Sequence, residues 1–246
     1  MPPDERPPPA DPLSAAEWLE VLRTGEVEVE GRMPWSSNAT LLCTLRSSFG
    51  DVRAIYKPGR GERPLRDFPG GLFLREVAAY ELSASCGLGV VPETVRRSDG
   101  PFGDGSFQRF IEADFSEHYF SLLKDDRHVP LLRRVAGFDL IANNADRKAG
   151  HLLLDRDRGI WGIDNGLCFH RQSKLRTVIW DFAGEELPAE ILRACRSIRD
   201  ELPPALLALL DPWELAALTH RAKRVLAEGC FPSPSEDGRA YPWPLV

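Results

Sequence analysis

A chain of 246 residues, 43% hydrophobic and 28% charged, has the make-up of an ordinary globular protein with room for one large domain or two closely packed lobes. Its formal net charge of −6 argues against a nucleic-acid partner and against a general attraction to anionic membranes. Its five cysteines are scattered without a CxxC pair, which fits reduced thiols rather than a zinc site.

The N-terminus, MPPDERPPPADP, lacks the apolar core of a signal peptide, and its density of proline predicts an extended, disordered leader over residues 1–12. No run approaches the length of a membrane helix, so a cytoplasmic location is expected, without a transmembrane segment. Order begins at Ser14, where SAAEWLEVLRTG pairs a capping box (Ser14 with Glu17) with a stop at Gly25. VEVEGR (27–32), ATLLCTL (39–45) and DVRAIYKP (51–58) alternate as strands, the last two joined by a turn ending at Gly50. After a Gly- and Pro-rich loop, LFLREVAAYELSASCG (72–87) has helical spacing and a glycine stop. GVVPETVRR (89–97) and GSFQRFIE (105–112) read as two more strands.

The pattern changes near Ala113. LLRRVAGFDLIANN (131–144) is a helix leading into a polar segment, and HLLLDRDRGIWGID (151–164) is a short hairpin. LPAEILRACRSIRDEL, PPALLALL and DPWELAALTHRAKRVLAEG follow as helices, and residues 231–246 form a Pro-rich tail. A strand-rich first half and a helix-rich second half define a bilobal α+β arrangement, with lobes expected over 13–111 and 112–230 and a cleft between them.

The chemistry concentrates around that changeover. Asp146, in NNADRKAGH, is placed after a helix to accept a proton from an incoming hydroxyl, flanked by Arg147 and Lys148, and Asp146, Arg147 and Asn144 are the candidate catalytic residues. Asn144 fixes that loop or bonds to substrate. Asp164 ends a buried strand, where a carboxylate needs a partner that a cation would supply. His151 offers an imidazole to the same metal, although a lone histidine is more often structural and Mg²⁺ prefers oxygen donors. Lys57, at the end of RAIYKP, can reach phosphates, and Glu76 on the next helix can hold it; taken alone, both are ordinary surface charges. Ser36, Ser37 and Asn38 can offer hydroxyls and backbone N–H groups to phosphate oxygens, yet their loop has no glycine and matches neither a P-loop nor a protein-kinase glycine-rich loop.

NNADRKAGHLL followed by WGIDNGLCF resembles the catalytic and metal-binding segments of the phosphatidylinositol 3/4-kinase superfamily, type II phosphatidylinositol 4-kinases most closely, and also short actinobacterial proteins with such a kinase-like core. AIYKP and REVAAYELSASCGLGVVPETV extend the resemblance upstream, so that it covers about residues 33–169. The resemblance implies a protein-kinase-like fold and ATP as substrate with Mg²⁺ or Mn²⁺. It implies Lys57 on the ATP phosphates, Glu76 paired with it, Asp146 as catalytic aspartate and Asp164 as metal ligand. Gln108, Phe110, Ile111 and Glu112 would then lie at the interlobe connection that binds adenine. His151 stands where the family has asparagine, a departure that favours Mn²⁺. The basic residues His170, Arg171, Lys174 and Arg176 fall where substrate selection is expected. The expected activity is transfer of the γ-phosphoryl group to a hydroxyl of a soluble protein or small molecule. The alternatives are a lipid kinase, a nucleotide-binding pseudokinase or scaffold, and an AMP transferase, because all need the same cleft.

Overall fold

The computed structural model describes residues 13–34, 38–235 and 238–246. The first half is built on a five-stranded antiparallel sheet of β1 (Glu26–Arg32), β2 (Leu41–Ser47), β3 (Gly50–Pro58), β4 (Thr94–Gly100) and β5 (Gly103–Arg109), in the order β1-β2-β3-β5-β4. Alternation sorts β3 between two environments. Ala54 and Tyr56 are fully buried on one face, and Lys57 lies on the other with Ile55 opposite Gln108 of β5.

Helix α1 (Ala15–Thr24) covers the first face. Its Ser14–Glu17 capping box forms as expected, and Val21 and Leu22 pack with Cys43, Leu45, Tyr56 and Phe107. Helix α2 (Leu72–Ser85) is buried along most of its length, which lets Glu76 sit inside the molecule beneath the sheet. The strand expected from Gly89 begins only at Thr94, because Pro92 lacks the N–H that a ladder needs. The next strand ends at Arg109 rather than Glu112, where the chain leaves the sheet.

The second half packs α4 (Val129–Ala142), α5 (Ala189–Asp200) and α6 (Pro212–Glu228) around the largest apolar cluster, with the short α3 (Tyr119–Leu122) at its edge. PPALLALL forms a 3₁₀ turn over Pro204–Ala208 instead of an α-helix. The expected hairpin is present as β6 (Leu152–Leu154) and β7 (Ile160–Gly162). Among the described residues, no helix is long and apolar enough to cross a membrane.

Gly137 lets α4 and α5 approach closely. A Cβ there would lie 2.4 Å from Cγ1 of Ile191, itself fully buried and unable to yield. Gly137→Ala should therefore lower stability, since overpacking costs about 1–3 kcal/mol and the better helix propensity of alanine offsets only about 1 kcal/mol. A lower urea midpoint at unchanged slope is the expected reading.

Candidate active site

The cleft between sheet and helices holds a cavity of about 490 Å³, of the size that takes a small ligand. Lys57, Glu76, Asp146, His151 and Asp164 all line it, together with Asn38. Residues from β3, α2, the loop after α4, and the end of the β6–β7 hairpin thus meet in one place, although more than 100 positions separate Lys57 from Asp164.

Lys57 is the hub. Its Nζ donates to Oε1 of Glu76 and, over 3.0 Å, to Oδ1 of Asp164. Burial works against its charge, but the Asp164 and Glu76 carboxylates outweigh it and hold the ammonium well above its usual pKa. Lys57 in turn holds Asp164 below the usual carboxylate range, whereas burial pushes Glu76 up. Glu76 is fixed further by accepting from the Asn165 backbone N–H at 2.9 Å.

Asp164 sits at φ 58°, a left-handed conformation that is costly for a residue with a Cβ, and Phe169 closes the same segment at φ 67°. The strained backbone turns the Asp164 side chain toward Lys57 and His151, and it remains 52% exposed to the cleft.

His151 places Nε2 3.4 Å from Oδ2 of Asp164. Burial lowers its pKa to about 4, with Asp164 opposing the shift. The ring is therefore neutral near pH 7 and able to act as a ligand. Because the folded value lies below the unfolded value of about 6.5, the unfolded chain takes up the proton first, and stability falls as pH drops from about 6.5 to about 4. Relative to His151→Asn, which has no such titration, the wild-type protein should lose stability over that window in urea unfolding. Parallel pH profiles for the two proteins would contradict the assignment.

Asp146 pairs with Lys148 at 3.2 Å, and burial raises its pKa. Its loop is held from below by a buried network. Arg147, with no exposed side-chain surface, makes two 2.9 Å bonds to the equally buried Asp139 of α4 and donates to the Ile163 carbonyl and Asn165 Oδ1. Asn144 donates to Asp139 at 3.0 Å and accepts from the Asp146 backbone N–H at 3.0 Å. Arg147 and Asn144 thus lie beneath the loop, away from the cavity, where they tie Asp146 to the Asp164 segment. Asp139 was not singled out from the sequence; its only signal was a carboxylate inside an otherwise apolar helical stretch.

Ser36 and Ser37 lie outside the described residues. Asn38 accepts from the Arg63 backbone N–H at 3.0 Å. Gln108, Phe110, Ile111 and Glu112 do not line the cavity. Gln108 is buried and bonds to Thr94 at 2.9 Å, while Glu112 pairs with Arg53, whose guanidinium covers the Phe110 ring. The C-terminal tail, by contrast, reaches the site. The Ala240 carbonyl accepts from Thr177 N–H at 3.0 Å, the Leu245 carbonyl accepts from Ala149 N–H at 2.8 Å, and Trp243 between them lines the cavity.

Among the described residues, no group of three His, Cys, Asp or Glu side chains could hold a metal ion. His151 and Asp164 supply two adjacent donors, which suits a cation that takes its remaining ligands from nucleotide phosphates and water.

The molecule has a bilobal α+β, protein-kinase-like fold, with a strand-rich first part and a helical second part. It aligns with the structure of hydra Fam20 with sugar at a TM-score of 0.55 and 12% identity, covering 87% of each chain. It also aligns, at a TM-score of 0.49 and 11% identity, with the Helicobacter pylori proinflammatory kinase CtkA, over 85% of this chain and 94% of that one. No family model matches. The chain belongs to the family of protein Rv2133c of Mycobacterium tuberculosis, with which it shares 37% identity over 91% of its own length and 94% of that protein's.

Proposed function

We propose that the protein is an ATP-dependent phosphotransferase that moves the γ-phosphoryl group to a hydroxyl of a protein or small molecule. The observation that carries this reading is the Lys57–Glu76–Asp164 constellation lining the same cavity as Asp146. Lys57 would neutralise charge on the ATP phosphates, with Glu76 holding it in place. His151 and Asp164 would hold the divalent cation, which neutralises phosphate charge when bound. Asp146 would orient the acceptor hydroxyl and take its proton as that oxygen bonds to the γ-phosphorus and the bond to ADP breaks. The raised pKa of Asp146 makes it a better base than a solvated aspartate. The motif resemblance to phosphatidylinositol kinases belongs to the same reading, and the lipid acceptor remains its runner-up.

Intact mass spectrometry after incubation with ATP and either Mg²⁺ or Mn²⁺, beside Asp146→Ala, separates the chemistries. A phosphate-sized gain absent from the variant supports phosphoryl transfer to the protein itself. An AMP-sized gain would replace that reading with adenylyl transfer. Imidazole in the ligand set favours Mn²⁺ over Mg²⁺, and His151→Asn should shift the preference toward Mg²⁺. Turnover rates with each metal in the two proteins check this; a strong Mg²⁺ preference in the wild type would count against His151 as a ligand.

A further inference from the structure

A second concave surface lies on the helical half, separate from the cavity that holds Asp146. It encloses about 590 Å³ between residues 171–173 and one side of α6. Trp213, Ala217, His220 and Arg224 recur along α6 at helical spacing and so share a face, while Leu218, Ala222 and Val225 point into the core. Trp213 is 71% exposed and so offers a large apolar face to a partner.

The charge of this groove is one-sided. Arg171, His220, Arg221 and Arg224 line it, and no carboxylate is among its described lining residues, in a chain whose net charge is −6. Arg224 meets Glu228 at 3.7 Å at the outer end of the helix. Arg221 forms the floor. It is 6% exposed, its Nε and Nη1 donate to the carbonyls of Ile141 and His170, and its buried Nη2 has no hydrogen-bond partner. An apolar anchor at one end and arginines along the rest, with Arg224 meeting Glu228 at the outer end, suits an acidic chain with an apolar residue in it.

Length argues for a polymer rather than a small anion. Trp213 and Arg224 lie about 16 Å apart along the helix, the span of roughly five residues of extended peptide. Along the chain its wall at Arg171–Ser173 is joined through Lys174 and Leu175 to Arg176, which lines the Asp146 cavity and whose backbone bonds to Asn144 and Arg147.

We propose that this groove is a docking site for an acidic peptide segment of a protein acceptor, holding the acceptor beside Asp146. The proposal rests on the phosphotransferase reading and narrows it to a protein substrate. Docking raises the local concentration of the acceptor hydroxyl without any new contact at the cleft.

The test is fluorescence anisotropy of the full chain with a labelled peptide of glutamates around one leucine, without nucleotide, at low and high salt. Wild-type protein should bind the peptide, more weakly as salt rises, and should not bind the version with lysine in place of glutamate. The double variant Arg171→Glu, Arg224→Glu should bind about tenfold more weakly or worse. Trp213→Ala should also weaken binding, and melting curves should show that both variants remain folded. Equal binding by wild type and the double variant, or no binding by the wild type, would overturn the docking site. So would preference for phosphatidylserine vesicles or single-stranded DNA over the peptide. Because the assay needs no catalysis, its failure is distinct from a failure to consume ATP.

Discussion

Asp146→Asn is expected to cut phosphoryl transfer by about 10²–10⁴-fold, the range a positioned general base contributes, while leaving the affinity for ATP with its metal nearly unchanged. The geometry separates the two effects. The Asp146 carboxylate pairs with Lys148, whereas Lys57 ties Glu76 and Asp164 to one another. The amide keeps the shape of the side chain and removes its ability to take a proton. Asp164→Asn differs, because it loosens Lys57 and, on the proposed function, would remove a cation ligand, so nucleotide affinity should fall with turnover. Isothermal titration calorimetry with ATP and metal, set against turnover for each variant, distinguishes the two roles. Near-normal turnover in Asp146→Asn would end its assignment as the base.

The second large effect concerns stability. Arg147→Met should destabilise the protein by about 3–5 kcal/mol, because it leaves the Asp139 carboxylate buried and unpaired. It also removes the bonds that join the Asp146 loop to Ile163 and Asn165, so residual turnover should fall even below the unfolding transition. Arg147→Met with Asp139→Leu removes both charges and should recover much of the stability, since a buried ion pair replaced by apolar groups of similar volume is often neutral or better. It should not recover turnover. Urea unfolding of the two single variants and the double variant gives the coupling directly.

Lys57, Glu76, Asp146, His151, Asp164 and Asn38 were all singled out from the sequence and all line the cavity, although Lys57 and Glu76 taken alone read as ordinary surface charges and gained meaning only from the set of motifs. Their order along the chain was enough to anticipate a shared cleft. The direction of Arg147 was not legible. An arginine next to the aspartate reads as part of the catalytic set, and only its bonds to Asp139 on the preceding helix show that it points inward, beneath the loop. The contacts of the Pro-rich tail were not legible for a related reason. Ala240 is 2% exposed, and its carbonyl takes donors from Trp180 and Thr177, some 60 positions earlier.

In the fold, the α1 capping box was local and therefore readable. The start of β4 was not, because the valines before Pro92 have strand character that the missing N–H overrides. Gly137 carried no signal at all, since its need for a bare Cα arises from Ile191 on a helix that follows much later.

The central claim is tested most directly by ³¹P NMR of ATP incubated with the wild-type protein and Mn²⁺ or Mg²⁺, beside Asp146→Asn. The account predicts conversion of ATP to ADP, with the phosphoryl group passing to an acceptor or, more slowly, to water, and its loss in the variant. ATP left intact by the wild type with both metals, or consumed equally by Asp146→Asn, would contradict a phosphotransferase built on this site.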